Sequence, residues 1–290
     1  MTKVIISATN KGGDGKTTLS IIFSEYLSII RNQKVLLIDF DPQANASSRH
    51  LELEYDPTSD GGKKPPIHPD YDPVNDKGWD GRTSIADIFY GKEMIPYSTN
   101  ISNLDVAPAY SAQLQAAEET KREEVIEKIQ NRLKEFVNLK EIQESYDYII
   151  IDTPPAKGPL TRAAFSAATH VIIPAQMEKF SMDGIYGMMQ LWKQETYSRG
   201  TSNPITLLGI IPNRFRNLVL HKAHFNELKS QKGISEFVTD HKLHERAIYS
   251  EILSNKQLPQ NIFELPSSNI AREETEKLCD FLYGRMVNNG

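Results

Sequence analysis

The chain carries several stretches that are apolar without interruption. "KVIISA" (3–8), "KVLLIDFD" (34–41), "YDYIIIDTPP" (146–155), "HVIIPA" (170–175) and "ITLLGIIPN" (205–213) read as strands, and "LDVAPA" (104–109) as a weaker one. An unbroken apolar run leaves no polar face for water, so these strands belong to a sheet covered on both sides. Between the first two, "TTLSIIFSEYLSIIR" sets Leu19, Ile22, Phe23, Tyr26, Leu27 and Ile30 at helical spacing. The stretch 113–145 is more polar and reads as one or two helices, with Val125, Ile129, Leu133, Phe136 and Val137 on one stripe. Alternation of this kind predicts an α/β fold: a mostly parallel, doubly wound sheet with helices on both faces.

One stretch breaks the pattern. Residues 54–82 hold five prolines, four glycines and almost no aliphatic side chains. Because strands and helices resume beyond it, it reads as a long surface loop or partly disordered insertion within a single domain, 1–290.

Composition narrows the class further. The mean hydropathy of -0.46 and the lack of any apolar run near the ~18 residues that span a bilayer argue against a membrane helix. "MTKVIISATNKGGDG" lacks the form of a secretory signal, and a lone cysteine, Cys279, makes neither an internal disulfide nor a metal cluster. The expectation is a cytoplasmic protein. With a net charge of -5, contact with nucleic acid would have to come from a local basic patch.

Three strand ends carry chemistry. After the first comes "NKGGDGKTTLS" (10–20), in which Gly12, Gly13 and Gly15 let successive backbone N–H groups turn inward at the start of a helix. Such a cradle suits phosphate: Lys16 reaches the β and γ phosphates, the Thr17 hydroxyl ligates Mg2+, and Thr18 lies near the α phosphate. A glycine-rich turn can also be purely structural. The second strand ends in "LIDFDPQ", with Asp39 and Asp41 two residues apart and so on one face of an extended segment. Asp41 is the candidate to orient an attacking water and Asp39 to support the Mg2+ shell or Lys16; taken alone, the pair also fits a strand-end turn. Asp152 ends the third strand in "IIIDTPP", the form of an acid holding Mg2+ through water, and Pro154 and Pro155 stiffen the adjoining segment. Two features of the loop are odd: Asn10 stands where a leading glycine is usual, and Asp14 sets a carboxylate beside the expected polyphosphate.

"KGGDGKTT", "VLLIDFDPQANAS" and "YIIIDTPPAKG", in this order, resemble the deviant Walker motifs of the ParA/MinD family of P-loop ATPases. "TSIADIFYGK", "LDVAPA", "AIYSEILSNKQLP" and "LPSSNIAREETEKLCDFLYGRM" extend the likeness over nearly the whole chain. The resemblance implies ATP and Mg2+ as cofactors and a homodimer with ATP sandwiched between protomers. It implies that Lys11 crosses to the partner's phosphates, although a solvated loop lysine would look the same, and it accounts for Asn10. It also implies Asn213, in "IIPNRF", as the reader of adenine, with Pro266 in the loop over the ring; an asparagine after a strand is otherwise a turn residue. Asp14 departs from the family pattern. Either it turns outward to a cation, Lys157 or an arginine of the partner protomer, or it weakens ATP binding.

Among such ATPases, the single cysteine speaks against an iron–sulfur type. The weakly basic end "ETEKLCDFLYGRMVNNG" speaks against a membrane-docking helix, and the start at the first strand against an N-terminal DNA-reading extension. The ParA type implies non-specific DNA binding in the ATP state, nucleoid association and a ParB-like adaptor that stimulates slow hydrolysis. Residues 214–246 carry a local balance of +3; Arg214, Arg216, Lys222, Lys242 and Arg246 are the candidates for phosphate contacts, although ordinary solvated helices carry similar charge. The other class is a MinD-like, nucleotide-gated module that acts on a membrane or protein partner with little hydrolysis.

Overall fold

The computed structural model describes residues 2–58, 62–200, 203–254 and 259–288. Four pieces of the sequence reading, residue 1, 59–61 of the insertion, 255–258 of the C-terminal likeness and 289–290 of the weakly basic end, lie outside the described residues. β1 (Lys3–Ser7) runs through the glycine-rich loop into α1 (Lys16–Glu25), and β2 (Val35–Asp39) into α2 (Asn45–His50). The hairpin β3 (Glu54–Tyr55) and β4 (Lys63–Lys64) opens the insertion, followed by β5 (Tyr97–Ser98), β6 (Leu104–Ala107), α3 (Ser111–Glu118), α4 (Glu123–Val137) and α5 (Lys140–Ser145). Alternation then resumes with β7 (Tyr148–Asp152), α6 (Pro159–Ala167), β8 (His170–Ala175), α7 (Lys179–Arg199) and β9 (Thr206–Pro212). α8 (Val219–Ser230), α9 (Ala247–Ser254) and α10 (Ile270–Asn288) complete the described chain.

Seven strands form one sheet in the order β5-β6-β2-β7-β1-β8-β9, parallel except for the short edge strand β5. β1, β2 and β7 are buried along nearly their whole length because successive side chains enter cores on opposite faces. Val4, Ile6, Leu36, Ile38, Ile149 and Ile151 join one core; Ile5, Val35, Leu37, Tyr148 and Ile150 join the other. Each such side chain contributes ~1.5–3 kcal/mol on burial, so the continuous apolar runs hold the sheet between its helices. β7 lies between β1 and β2, in a register that pairs Asp152 with both Ser7 and Asp39. The three chemically marked strand ends therefore open on one edge of the sheet, where ligands of open α/β folds bind.

Three details differ from the sequence reading. The stretch 113–145 is divided among three helices, because the chain turns at 119–122 and again at 138–139. That second turn brings Gln143 back to the start of β1, where its Oε1 accepts from Thr2 N at 3.1 Å. The first helix continues beyond Glu25 as a π turn, Tyr26–Ile30, with the Arg31 guanidinium stacked 5.3 Å from the Tyr26 ring centre. The insertion carries built structure: Arg82 forks onto Glu54 at 3.0 and 2.9 Å, and buried His68 packs between the Trp79 and Tyr97 rings. Among the described residues, no helix is long and apolar enough to cross a membrane.

Candidate nucleotide-binding site

Gly15 caps α1 in the left-handed region, φ 86°, and a Cβ there would overlap Asn213 Nδ2, so the turn and the close approach both require glycine. Gly13 shares that φ. The loop thus delivers its N–H groups to the α1 N-terminus beside a cavity of about 800 Å³, which Gly12, Lys16, Thr17, Thr18 and Asp41 help to line. Lys16 is buried, and its Nζ is held by Thr9 Oγ1 at 3.3 Å and the Lys11 carbonyl at 3.4 Å. Burial pushes its pKa down, against the pull of Asp152, Asp41 and Asp14.

The acids are held differently from one another. Asp152 is fully buried; its Oδ1 accepts from Ser20 Oγ at 3.0 Å, while Oδ2 is buried without a hydrogen-bond partner. Burial first, and Asp39 second, push its pKa up, whereas the Thr17 hydroxyl stabilises the anion. Asp39, also fully buried, is braced rather than open: its Oδ2 accepts from both the backbone N and the Oγ of Ser47 at 2.7 Å, and its Oδ1 from Asp41 N at 3.3 Å. Its pKa is likewise raised by burial. Asp41 lies at the cavity with its Oδ1 held by Gln43 N at 2.9 Å. A divalent cation fits this donor set: two facing carboxylates with raised pKa values, an orphaned oxygen on Asp152 and the Thr17 hydroxyl beside it.

Lys11 and Asp14 of the loop are tied to the start of α7. Lys11 pairs with Glu178 at 3.5 Å, both half-exposed, and a pair of this kind contributes only ~0–1 kcal/mol and is readily exchanged. Asp14 neither faces outward nor lines the cavity. It is buried with Oδ1 accepting from Ser181 Oγ at 3.3 Å in the first turn of α7, where the helix dipole favours an anion. Lys157, suggested as its partner, packs against Gly187 instead. Burial raises the Asp14 pKa, and Lys11 is the chief opposing charge. Gln176 Nε2 adds a third tie, to the Gly13 carbonyl at 2.8 Å.

Asn213 lines the cavity, but its Nδ2 donates to the Asp14 carbonyl at 2.8 Å, so the amide braces the phosphate loop. Pro266 is exposed and does not line the cavity; that wall is formed by His244–Ala247, Tyr249, Ser250 and Leu253. The five candidate DNA residues do not form a free patch. Arg214 pairs with Glu245 at 2.7 Å, and Arg216 with Glu178 at 3.5 Å and Glu245 at 3.6 Å. Arg246 pairs with Glu274 at 2.6 Å, and Lys242 sits 3.8 Å from the Phe225 ring centre. Lys222 is exposed. Glu178 and Glu274 lie outside the 214–246 window, so the local charge count omitted two of the acids that pair with these arginines.

A backbone cradle at a helix N-terminus, a lysine inside it and three acids at adjacent strand ends define a P-loop nucleotide-binding protein. The chain belongs to the ParA/Soj family of partition ATPases, as its motifs suggest. A family model described as an AAA domain matches residues 2–203. The chain is 35% identical over 185 residues to the sporulation initiation inhibitor protein Soj of Bacillus subtilis, a match spanning 64% of this chain and 62% of that protein. It is 30% identical to the chromosome-partitioning ATPase Soj of Treponema pallidum, over 72% of this chain and 70% of that one. A putative plasmid partition protein from Borrelia burgdorferi, solved with AMPPNP, superposes with a TM-score of 0.67 at 25% identity, covering 98% of this chain and all of that one (100%).

Proposed function

We propose that this protein is a Mg-ATP-dependent, dimerising ATPase that binds DNA non-specifically in its ATP state and positions a cargo through an adaptor protein. The observation that carries the hydrolytic part is one cavity lined by the phosphate cradle, Thr17 and Asp41, with the unpartnered Asp152 Oδ2 buried at the adjoining strand end. Lys16, Thr18 and the loop amides would hold the phosphates, and Lys11, released from Glu178, would reach across to the partner's phosphates. Asp41 would orient the water that attacks the γ phosphorus, giving ADP and inorganic phosphate. Thr17 and Asp152, with Asp39 behind them, would hold Mg2+, whose charge opposes that developing on the phosphate oxygens. Asn213 would contact adenine after leaving the Asp14 carbonyl, with Pro266 brought over the ring. Arg214, Arg216, Lys222, Lys242 and Arg246 would contact DNA once dimerisation rearranges the ion pairs of the three arginines, placing the ATP form on the nucleoid in the cytoplasm.

Asp41→Ala tests the reaction: ATP-analogue binding should persist while turnover is lost and the ATP dimer accumulates. Unchanged turnover would remove Asp41 from the mechanism. DNA binding is measured with ATP, ADP and no nucleotide at two salt concentrations; binding only with ATP, lost at high salt, is expected. A second reading, a nucleotide-gated module for a protein partner, is favoured by one observation. Leu218, Val219 and Leu220 stand 46%, 85% and 68% exposed at the start of α8, beside the neutralised arginines. Absence of DNA binding in every nucleotide state would favour it.

A further inference from the structure

We propose that Lys63, carried by the insertion, is a positioning residue for the loop that holds Asp41. The two residues of β4 point to opposite faces. Lys64 turns to Glu54, 3.8 Å away, and to a separate cavity of about 900 Å³ between the insertion and residues 83–113. Lys63 turns to the nucleotide cavity: its Nζ donates to the Gln43 carbonyl at 3.3 Å and to Ser48 Oγ at 3.0 Å. Gln43 and Ser48 both line that cavity. The same Gln43 whose carbonyl Lys63 holds fixes Asp41 through its own N–H, at 2.9 Å from Oδ1. A single residue thus links the ammonium to the carboxylate.

The loop has reason to need a clamp. Ala44 is held in the left-handed region, φ 55° and ψ 35°, a conformation that side-chain-bearing residues persist in only when their surroundings impose it. Ser48 Oγ donates to the Ala44 carbonyl at 2.7 Å, which leaves its lone pairs for the lysine. Lys63 is itself fixed at its base. Its backbone N donates to Ser111 Oγ at 3.1 Å, and the Glu54–Arg82 fork pins the other strand of the hairpin. A flexible side chain on an anchored strand loses less freedom on forming these bonds than one on a loose loop. The insertion is therefore part of the nucleotide site, and loosening it slackens the Asp41 loop.

This rests on Asp41 as the water-orienting acid, so the test has one readout that is independent of turnover. Amide hydrogen exchange of residues 41–48 is measured on the full chain without nucleotide, for the parent, Lys63→Met and Lys63→Arg, alongside steady-state Mg-ATP turnover. Lys63→Met should speed exchange in that loop about threefold or more and lower kcat about fivefold, with KM within about twofold; Lys63→Arg should restore both. Unchanged exchange in Lys63→Met overturns the clamp whatever kcat does. Faster exchange with unchanged kcat overturns positioning for hydrolysis. A parent that does not turn over ATP refutes the proposed function, and exchange alone then decides the clamp. If Lys63→Met does not fold, Ser48→Ala removes the facing acceptor and should shift exchange in the same direction, by less; no shift there also overturns the proposal.

Discussion

Ser47→Ala removes one oxygen from the middle of the acid cluster. Ser47 is fully buried, donates through Oγ to Asp39 Oδ2 at 2.7 Å, and accepts from Ala109 N at 2.9 Å. The substitution deletes a hydrogen bond to a buried carboxylate, ~1.5–3 kcal/mol, and strands a buried N–H, ~1–3 kcal/mol. The Ser47 backbone N remains on Oδ2 and Asp41 N on Oδ1, so two partners of the carboxylate survive. The expected cost is about 3–5 kcal/mol, large against the ~5–15 kcal/mol that holds a typical domain folded. Urea unfolding followed by circular dichroism, at neutral pH without nucleotide, measures it from the shift in midpoint at constant slope. A loss below about 1 kcal/mol would refute the reasoning, because the Asp39 oxygen and the Ala109 N–H would then have found other partners at little cost.

Gly15→Ala should weaken ATP-analogue binding about tenfold or more in a fluorescence titration, since it adds left-handed strain of ~1–2 kcal/mol to an overlap with Asn213. Asp14→Asn keeps an acceptor for Ser181 and should leave analogue affinity within about twofold, whereas Asp14→Val strands that hydroxyl and should cost ~1–3 kcal/mol in urea unfolding. Both ring nitrogens of His50 are buried without hydrogen-bond partners, and burial pushes its pKa down to about 3 from 6.5. The unfolded chain then binds the extra proton first. This contribution to stability is full above pH 6.5 and is lost on acidification, by up to ~1.4 kcal/mol per pH unit, until the folded pKa is reached. Buried carboxylates with raised pKa act in the opposite sense but alike in both chains, so from pH 7.5 to 6 and 5 the parent should lose stability relative to His50→Phe with this slope in the difference between their unfolding midpoints. Adding Mg2+ to the complex with an ATP analogue should raise the melting temperature of the parent, and Asp152→Asn should abolish that increment.

The residues that could be read directly are those whose chemistry sits within one short run. "NKGGDGKTTLS" contains its own strand exit, turn glycines and helix start, so local geometry alone yields a phosphate cradle. The acids at the ends of two of the continuous apolar strands, "KVLLIDFD" and "YDYIIIDTPP", were equally plain. What those acids touch was not, because Ser47 meets Ala109 across 62 positions and Lys11 meets Glu178 across 167. The basic count over 214–246 left out two counter-charges for the same reason: Glu178 stands just before α7 and Glu274 in α10.

Short-range pattern was enough for the parallel sheet, the loop and the order of the acidic strand ends, since hydrophobic period and backbone turn chemistry act over a few residues. It took the folded chain to make Asp39 a brace, to bury Asp14 against α7, to press Asn213 on the loop and to bring Lys63 of the insertion to the Asp41 loop. Charge and hydrogen bonding act through space, and the sheet order brings together groups that the chain keeps far apart.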